Sequence, residues 1–157
     1  MGQPDLDKKL LSKAIKLKAI INVESNFMNN VDYKYCHKRG IHVIATSPVF
    51  SKPVAEIALG MTLSLLRNIH EAHFDFLKGK EKYGLESNLK ASMLSGKKIG
   101  LLGFGDLAKS LYPLLLPFTK DISVYDPWLP KNVIKRYGFQ PINLKDMFSK
   151  CEVIYVL

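Results

Sequence analysis

The strongest constraint on this chain is the run Lys98-Ile99-Gly100-Leu101-Leu102-Gly103-Phe104-Gly105-Asp106-Leu107-Ala108. It reads as a short apolar strand, a glycine turn and the start of a helix, with Gly103, Gly105 and Ala108 in the pattern G-x-G-x-x-G/A. Each position has its own physical reason. Gly103 permits the tight turn, Gly105 lets backbone approach a pyrophosphate with no side chain between, and Ala108 lets the helix pack closely on the strand. The amides opening that helix, around Asp106 and Leu107, together with its positive dipole end, would face the phosphates. The Asp106 carboxylate is then expected to point to solvent while its N–H faces the ligand.

The next strand, Ile122-Ser123-Val124-Tyr125-Asp126, closes on a carboxylate at the spacing where dinucleotide sites hold the adenosine ribose. Asp126 would accept from the ribose hydroxyls and repel a 2′-phosphate, which favours NAD over NADP. Pro127 follows directly and supplies no cation for such a phosphate. The competing reading is a tight turn in which Asp126 is only a cap.

Around this motif a strand–helix rhythm continues. It predicts strands at 98–102, 122–125 and 152–157, and helices at 106–118, 131–137 and 144–149, with Pro113 bending the first of these. Upstream, helical spacing covers 6–17, a strand 18–23, and a helix capped by Asp32 that stops at Gly40. A second strand follows at 41–45. Residues 47–53 read as a loop, with Ser51 as cap and Pro53 in the first turn of a long helix over 54–78. The first half of that helix is apolar nearly all round, so a second domain or a second subunit must cover it. Residues 79–96 are polar and glycine-punctuated, and a domain boundary is expected near Ser95.

Composition removes several classes of function. The net charge of +9 comes from scattered lysines and reads as solvated surface rather than a nucleic-acid footprint. Cys36 and Cys151 have no metal-ligand spacing and read as buried small hydrophobes. The longest apolar run, 57–66, is shorter than the roughly 20 residues a bilayer demands, and the first residues carry no leader pattern. A cytoplasmic location is the default expectation. His70 and His73 could pair on a helix face, but no third ligand completes a site, and Arg67 reads as a surface arginine rather than a carboxylate clamp.

Taken in order, 17–21, Asn30-Val31-Asp32, Arg39-Gly40-Ile41, Val54-Ala55-Glu56, 66–69, 94–97, Gly103-Phe104-Gly105 and Tyr125-Asp126-Pro127 resemble the D-isomer-specific 2-hydroxyacid dehydrogenases along nearly the whole chain. The resemblance implies an α/β fold: part of a flavodoxin-like substrate domain over 1–95, then a parallel Rossmann-type half sheet (βαβαβ) over 96–157. It also implies NAD as cofactor, a small 2-hydroxy or 2-keto acid as substrate of the full-length form, and a homodimer through the helix from Val54. Two departures matter. The glycine-rich loop expected before Asn30-Val31-Asp32 reads Glu24-Ser25-Asn26-Phe27-Met28. The family's catalytic arginine, glutamate and histidine would lie beyond position 157, and His37, His42, His70 and His73 match none of them. The chain is therefore expected to be a fragment, inactive alone. The alternatives are a non-catalytic interaction or dimerisation protein and, last, a basic nucleic-acid binder.

Overall fold

Repeated strand–helix–strand units build two parallel sheets in the computed structural model, which describes residues 4–23 and 27–157. The chain divides into two compact units, Met1–Phe50 and Ser51–Leu157.

The first unit runs α1 (Lys8–Lys13), β1 (Ala19–Asn22), α2 (Tyr33–Arg39) and β2 (His42–Ala45). β1 and β2 pair in parallel, Ala19 opposite His42 and Asn22 opposite Ala45. The helix ends follow local chemistry. The Asp7 carboxylate accepts from the Leu10 amide at 2.7 Å, and Asp32 accepts from Tyr35 at 2.9 Å, as its position before the helix suggests. Gly40 ends α2 in the left-handed conformation, where its amide satisfies the Cys36 and His37 carbonyls. Leu11, Cys36 and Ile41 form the small core, and burial pushes the Cys36 thiol pKa up, with Asp32 adding to the effect.

Next comes α3 (Ser47–Leu66), which corrects the expected loop over 47–53. Two prolines compete for the first-turn role, and Pro48 holds it, because a missing amide costs nothing where no helical acceptor exists. Pro53 sits inside the helix and Ser51, far from capping it, is buried. The expected helix over 54–78 also breaks. Asn68 turns left-handed at φ 53°, a conformation asparagine tolerates, and the Ser92 amide takes the Leu66 carbonyl at 2.8 Å. α4 (Ile69–Leu77) starts afresh, followed by the short α5 (Gly84–Asn88), which the sequence pattern did not mark. At 20 residues, α3 is the one helix among the described residues long and apolar enough to cross a membrane by length and composition. That corrects the shorter run inferred from residues 57–66. It nevertheless carries Lys52 and Glu56 and buries Ala55 and Thr62 in the protein.

The second unit is organised by β3 (Ile99–Leu102), α6 (Asp106–Leu115), β4 (Ile122–Tyr125), α7 (Lys131–Arg136), β5 (Gln140–Pro141), α8 (Leu144–Lys150) and β6 (Val153–Val156). All four strands are parallel in the order β5-β4-β3-β6. β3 (Ile-Gly-Leu-Leu) carries no polar side chain and β4 only Ser123 and the Tyr125 hydroxyl, as suits central strands of a parallel sheet covered on both faces. Ile99, Leu101, Ile122 and Val124 enter one core with Ala108, Leu111 and Leu115 of α6, Ile134 of α7 and Ala55 of α3. Gly100 serves the other face, where a Cβ would stand 2.9 Å from Met147 of α8 and 3.2 Å from the Cys151 sulfur. Cys151 is thus half-buried rather than fully buried, and its thiol pKa is raised by burial and by Asp121 against the opposing effect of Lys98.

α3 belongs with this core: Ala58, Leu59, Leu63 and Leu66 pack against it, and the Ser110 hydroxyl meets Ser51 at 2.9 Å. The compact unit therefore begins at Ser51, whereas the polar stretch had suggested a division near Ser95. α6 ends at Leu115 rather than near Phe118, because the last residues tighten into a turn whose Phe118 carbonyl accepts from the Gly96 amide at 3.0 Å. Pro113 lies within α6 and withholds an amide from the Lys109 carbonyl. The base of the sheet is tied by Glu152, which accepts from the Lys97 ammonium at 3.0 Å and the Lys98 amide at 3.1 Å. Those two bonds hold its carboxyl below the usual range.

Candidate cofactor site

β3 has β4 on one side, reached through α6, and β6 on the other, reached by crossing back through α8. The strand order reverses at β3, and the crevice at the carboxyl ends of such strands is where open α/β sheets bind ligands. The glycine turn fills that place. Gly103 has φ 99°, and its amide donates to the Tyr125 carbonyl at 2.7 Å. A Cβ at Gly103 would lie 2.5 Å from the Leu157 carbonyl oxygen. The expected need for glycine is met, with a second cause the sequence did not disclose: β6's exit passes directly over it.

Phe104, between the two glycines, is buried. Its ring meets Tyr137 and Phe139 edge-on at centroid distances of 5.2 and 5.1 Å. This anchors the turn to α7 and the following residues, a role legible only as an apolar residue in an otherwise exposed motif. Gly105 is the N-cap of α6, and nothing lies within 4 Å of the place its Cβ would occupy. That open space is what a close-approaching pyrophosphate requires. Asp106 and Leu107 form the first turn, where amides have no acceptor within the helix. Ala108 is fully buried against the sheet. The Asp106 side chain was expected in solvent; the residue is half-buried and takes part in an interaction, and an acidic residue suits a helix's first turn.

Asp126 is bonded to the glycine turn itself. Its Oδ2 accepts from the Phe104 N–H at 2.8 Å, while Oδ1 accepts from Trp128 at 2.8 Å and Leu129 at 2.9 Å. The capping reading of Asp126 therefore describes real bonds. A carboxylate has about four acceptor positions, so one on Oδ2 is left beside the glycine turn. The signal for this was in the sequence, since Asp-Pro commonly starts a turn in which the carboxylate bonds amides two residues on. Pro127 is exposed at the same edge.

The remaining candidates stand elsewhere. His37 and His42 belong to the first unit, and His70 and His73 are exposed on α4. Arg67 is exposed and donates to Asn88 at 3.2 Å. Glu24, Ser25 and Asn26, from the loop expected to meet a substrate carboxylate, lie outside the described residues. Beyond that gap Tyr33 donates its hydroxyl to the Met28 carbonyl, and its ring meets Phe27. On β6 the Tyr155 hydroxyl is buried without a partner of good geometry. Burial pushes its pKa up, and the nearby Thr62 hydroxyl offsets part of that.

Residues 59–157 match the family described as D-isomer specific 2-hydroxyacid dehydrogenase, NAD binding domain. The chain belongs to that family. It is 28% identical over 161 residues to the hydroxypyruvate reductase of Thermotoga maritima, covering 96% of this chain and 51% of that protein. A phosphoglycerate oxidoreductase structure from Rhizobium etli superposes with a TM-score of 0.79 at 43% identity, covering 100% of this chain and 52% of that one. A D-lactate dehydrogenase from Aquifex aeolicus, solved with NAD and lactic acid, gives 0.71 at 27% identity over 96% of this chain and 44% of that one. The chain thus spans about half the length of the relatives it matches, and the half it spans includes an NAD-binding domain of Rossmann type.

Proposed function

We propose that this chain binds the adenosine diphosphate half of NAD between the first turn of α6 and Asp126, as the cofactor-holding part of a dehydrogenase acting on the CH–OH group of a small D-2-hydroxy acid. The observation that carries it is the 2.8 Å bond from the Phe104 amide to Asp126, which ties the carboxylate to the glycine turn one residue before the open space at Gly105. Gly103, Gly105, Asp106 and Leu107 cradle the pyrophosphate, and Asp126 with Pro127 borders the ribose. Hydride transfer to a keto acid also requires a proton donor and a cation for the carboxylate. The strand ends around Gly105 offer neither, so the 157-residue chain alone binds cofactor without turning substrate over. Calorimetric titration with NAD should give one site per chain, and NADH oxidation with glyoxylate, hydroxypyruvate or pyruvate should stay at the blank rate. Robust turnover by the isolated chain would refute its inactivity, and no heat with NAD would refute the site.

The chain's own surface supports a homodimer. Along α3, Val54, Ile57, Met61 and Leu65 repeat on one face, with Ile57, Met61 and Leu65 62%, 61% and 63% exposed. A continuous apolar stripe of this kind marks an interaction surface. Replacing Ile57 and Met61 by lysine should convert a dimer to monomer in light scattering, and the urea midpoint should then lose its dependence on protein concentration, since neither residue is in the core of the single chain. A wild-type chain that stays monomeric at high concentration would count against the interface. The same stripe underlies the second reading, a non-catalytic dimerisation protein of this family. The reading assigns no nucleic-acid or membrane partner and a cytoplasmic setting, in keeping with dispersed lysines and with Ala55 and Thr62 of α3 buried in protein.

A further inference from the structure

Trp128 is the chain's single tryptophan, and it is 89% exposed. Large aromatic rings are seldom left so bare, because burying one removes much apolar surface from water. Its backbone, by contrast, is held fast. The Trp128 amide donates to Asp126 Oδ1 at 2.8 Å, and the next amide, Leu129, donates to the same oxygen at 2.9 Å. Leu129 packs inward against the core, so the turn is anchored on one side and presents the indole on the other.

The position matters because of what the turn is built on. Two residues span at most about 7 Å, so the indole starts within side-chain reach of the carboxylate assigned to the ribose. In a nucleotide the base is attached to that same ribose. A ligand lying from α6 to Asp126 therefore carries its base outward past Pro127, toward Trp128. The surroundings supply no other covering for the indole: among the described residues no ring contact involves it.

We propose that Trp128 is the stacking wall for the adenine ring of the bound dinucleotide. The inference rests on the cofactor reading above and adds to it a residue that selects for a purine base. A flat π-face on a rigid turn favours any large aromatic base over a small or missing one. Aromatic stacking of a base is sensitive to removal of the ring and tolerant of a smaller aromatic.

One tryptophan makes the test direct. Intrinsic fluorescence should be quenched saturably by NAD, ADP-ribose and AMP, and left unchanged by nicotinamide mononucleotide, which has no adenine. Trp128→Ala should weaken NAD binding, measured by calorimetry, about tenfold, and Trp128→Phe should retain most of the affinity. Both variants should keep the wild-type urea midpoint, because the side chain contributes nothing to the core. If NAD binds calorimetrically while the fluorescence is unmoved and Trp128→Ala binds as well as wild type, the stacking role is wrong and the cofactor site stands. If NAD gives no heat at all, the site itself is wrong and the stacking role falls with it.

Discussion

Gly103→Ala is expected to lower the stability of the chain by about 2 kcal/mol, while Gly105→Ala, two residues on, should leave stability unchanged and weaken NAD binding at least tenfold. The contrast comes from the different causes that put glycine at each position. At Gly103 the backbone has φ 99°, where an L side chain is strained by about 1–2 kcal/mol. The added methyl would also press on the Leu157 carbonyl oxygen, 2.5 Å from the ideal Cβ. That oxygen belongs to the last residue of the 157-residue chain, whose amide bonds the Leu102 carbonyl at 3.0 Å while its carboxylate can still turn about the Cα–C bond. Turning that group, or a small shift of the last residue, relieves part of the contact, so the clash adds modestly to the strain. Gly105 has φ −83° and ψ −156°, which alanine adopts freely, with open space around it. A methyl there meets nothing in the protein and stands where the proposed site would bring the pyrophosphate close. Urea unfolding with parallel calorimetry separates the two. A Gly105→Ala variant that binds NAD normally would show that no phosphate approaches this turn.

How far the sequence could carry this picture depends on where the determining forces are local. β3, β4 and α6 were legible because apolar run, glycine turn and helix start are adjacent in the chain, and the caps at Asp32 and Gly40 were legible for the same reason. The start of α3 was not. Pro48 and Pro53 both satisfy the local rule for a first turn, and the choice between them is tied to packing of Ala55 and Ala58 against a core formed mostly by residues after 98. The break at Asn68 is likewise secured by a distant partner, the Ser92 amide. β5 spans two residues, too few for any periodicity, and its Pro141 is tolerated because an edge strand need not donate on its outer side. At the candidate site, residue types and spacing singled out Gly103, Gly105 and Asp126. The bond joining Asp126 to Phe104 and the passage of Leu157 over Gly103 are products of strand register, which a single sequence does not display.

The second large effect is expected at Asp126, where one carboxylate holds three amides together. Asp126→Ala removes the acceptor of Phe104, Trp128 and Leu129 at once. Hydrogen bonds to a charged acceptor contribute about 1.5–3 kcal/mol each when buried, but this carboxylate is half-exposed and water can replace part of them. A total loss of about 2 kcal/mol in the urea-derived stability follows, with the 126–129 turn loosened and NAD binding abolished. Asp126→Asn is the sharper probe. Its carbonyl oxygen can still accept from Trp128 and Leu129, so the turn should survive at a cost of about 1 kcal/mol, while its amide group faces the Phe104 N–H, donor against donor. More important, the negative charge is gone. If that charge is what excludes a 2′-phosphate, the ratio of NADP to NAD affinity should rise at least tenfold in the asparagine variant, even as NAD binding itself weakens. A variant in which stability falls as expected but the ratio does not move would make Asp126 a turn cap and nothing more. Selection between the two cofactors would then have to lie in residues other than this carboxylate.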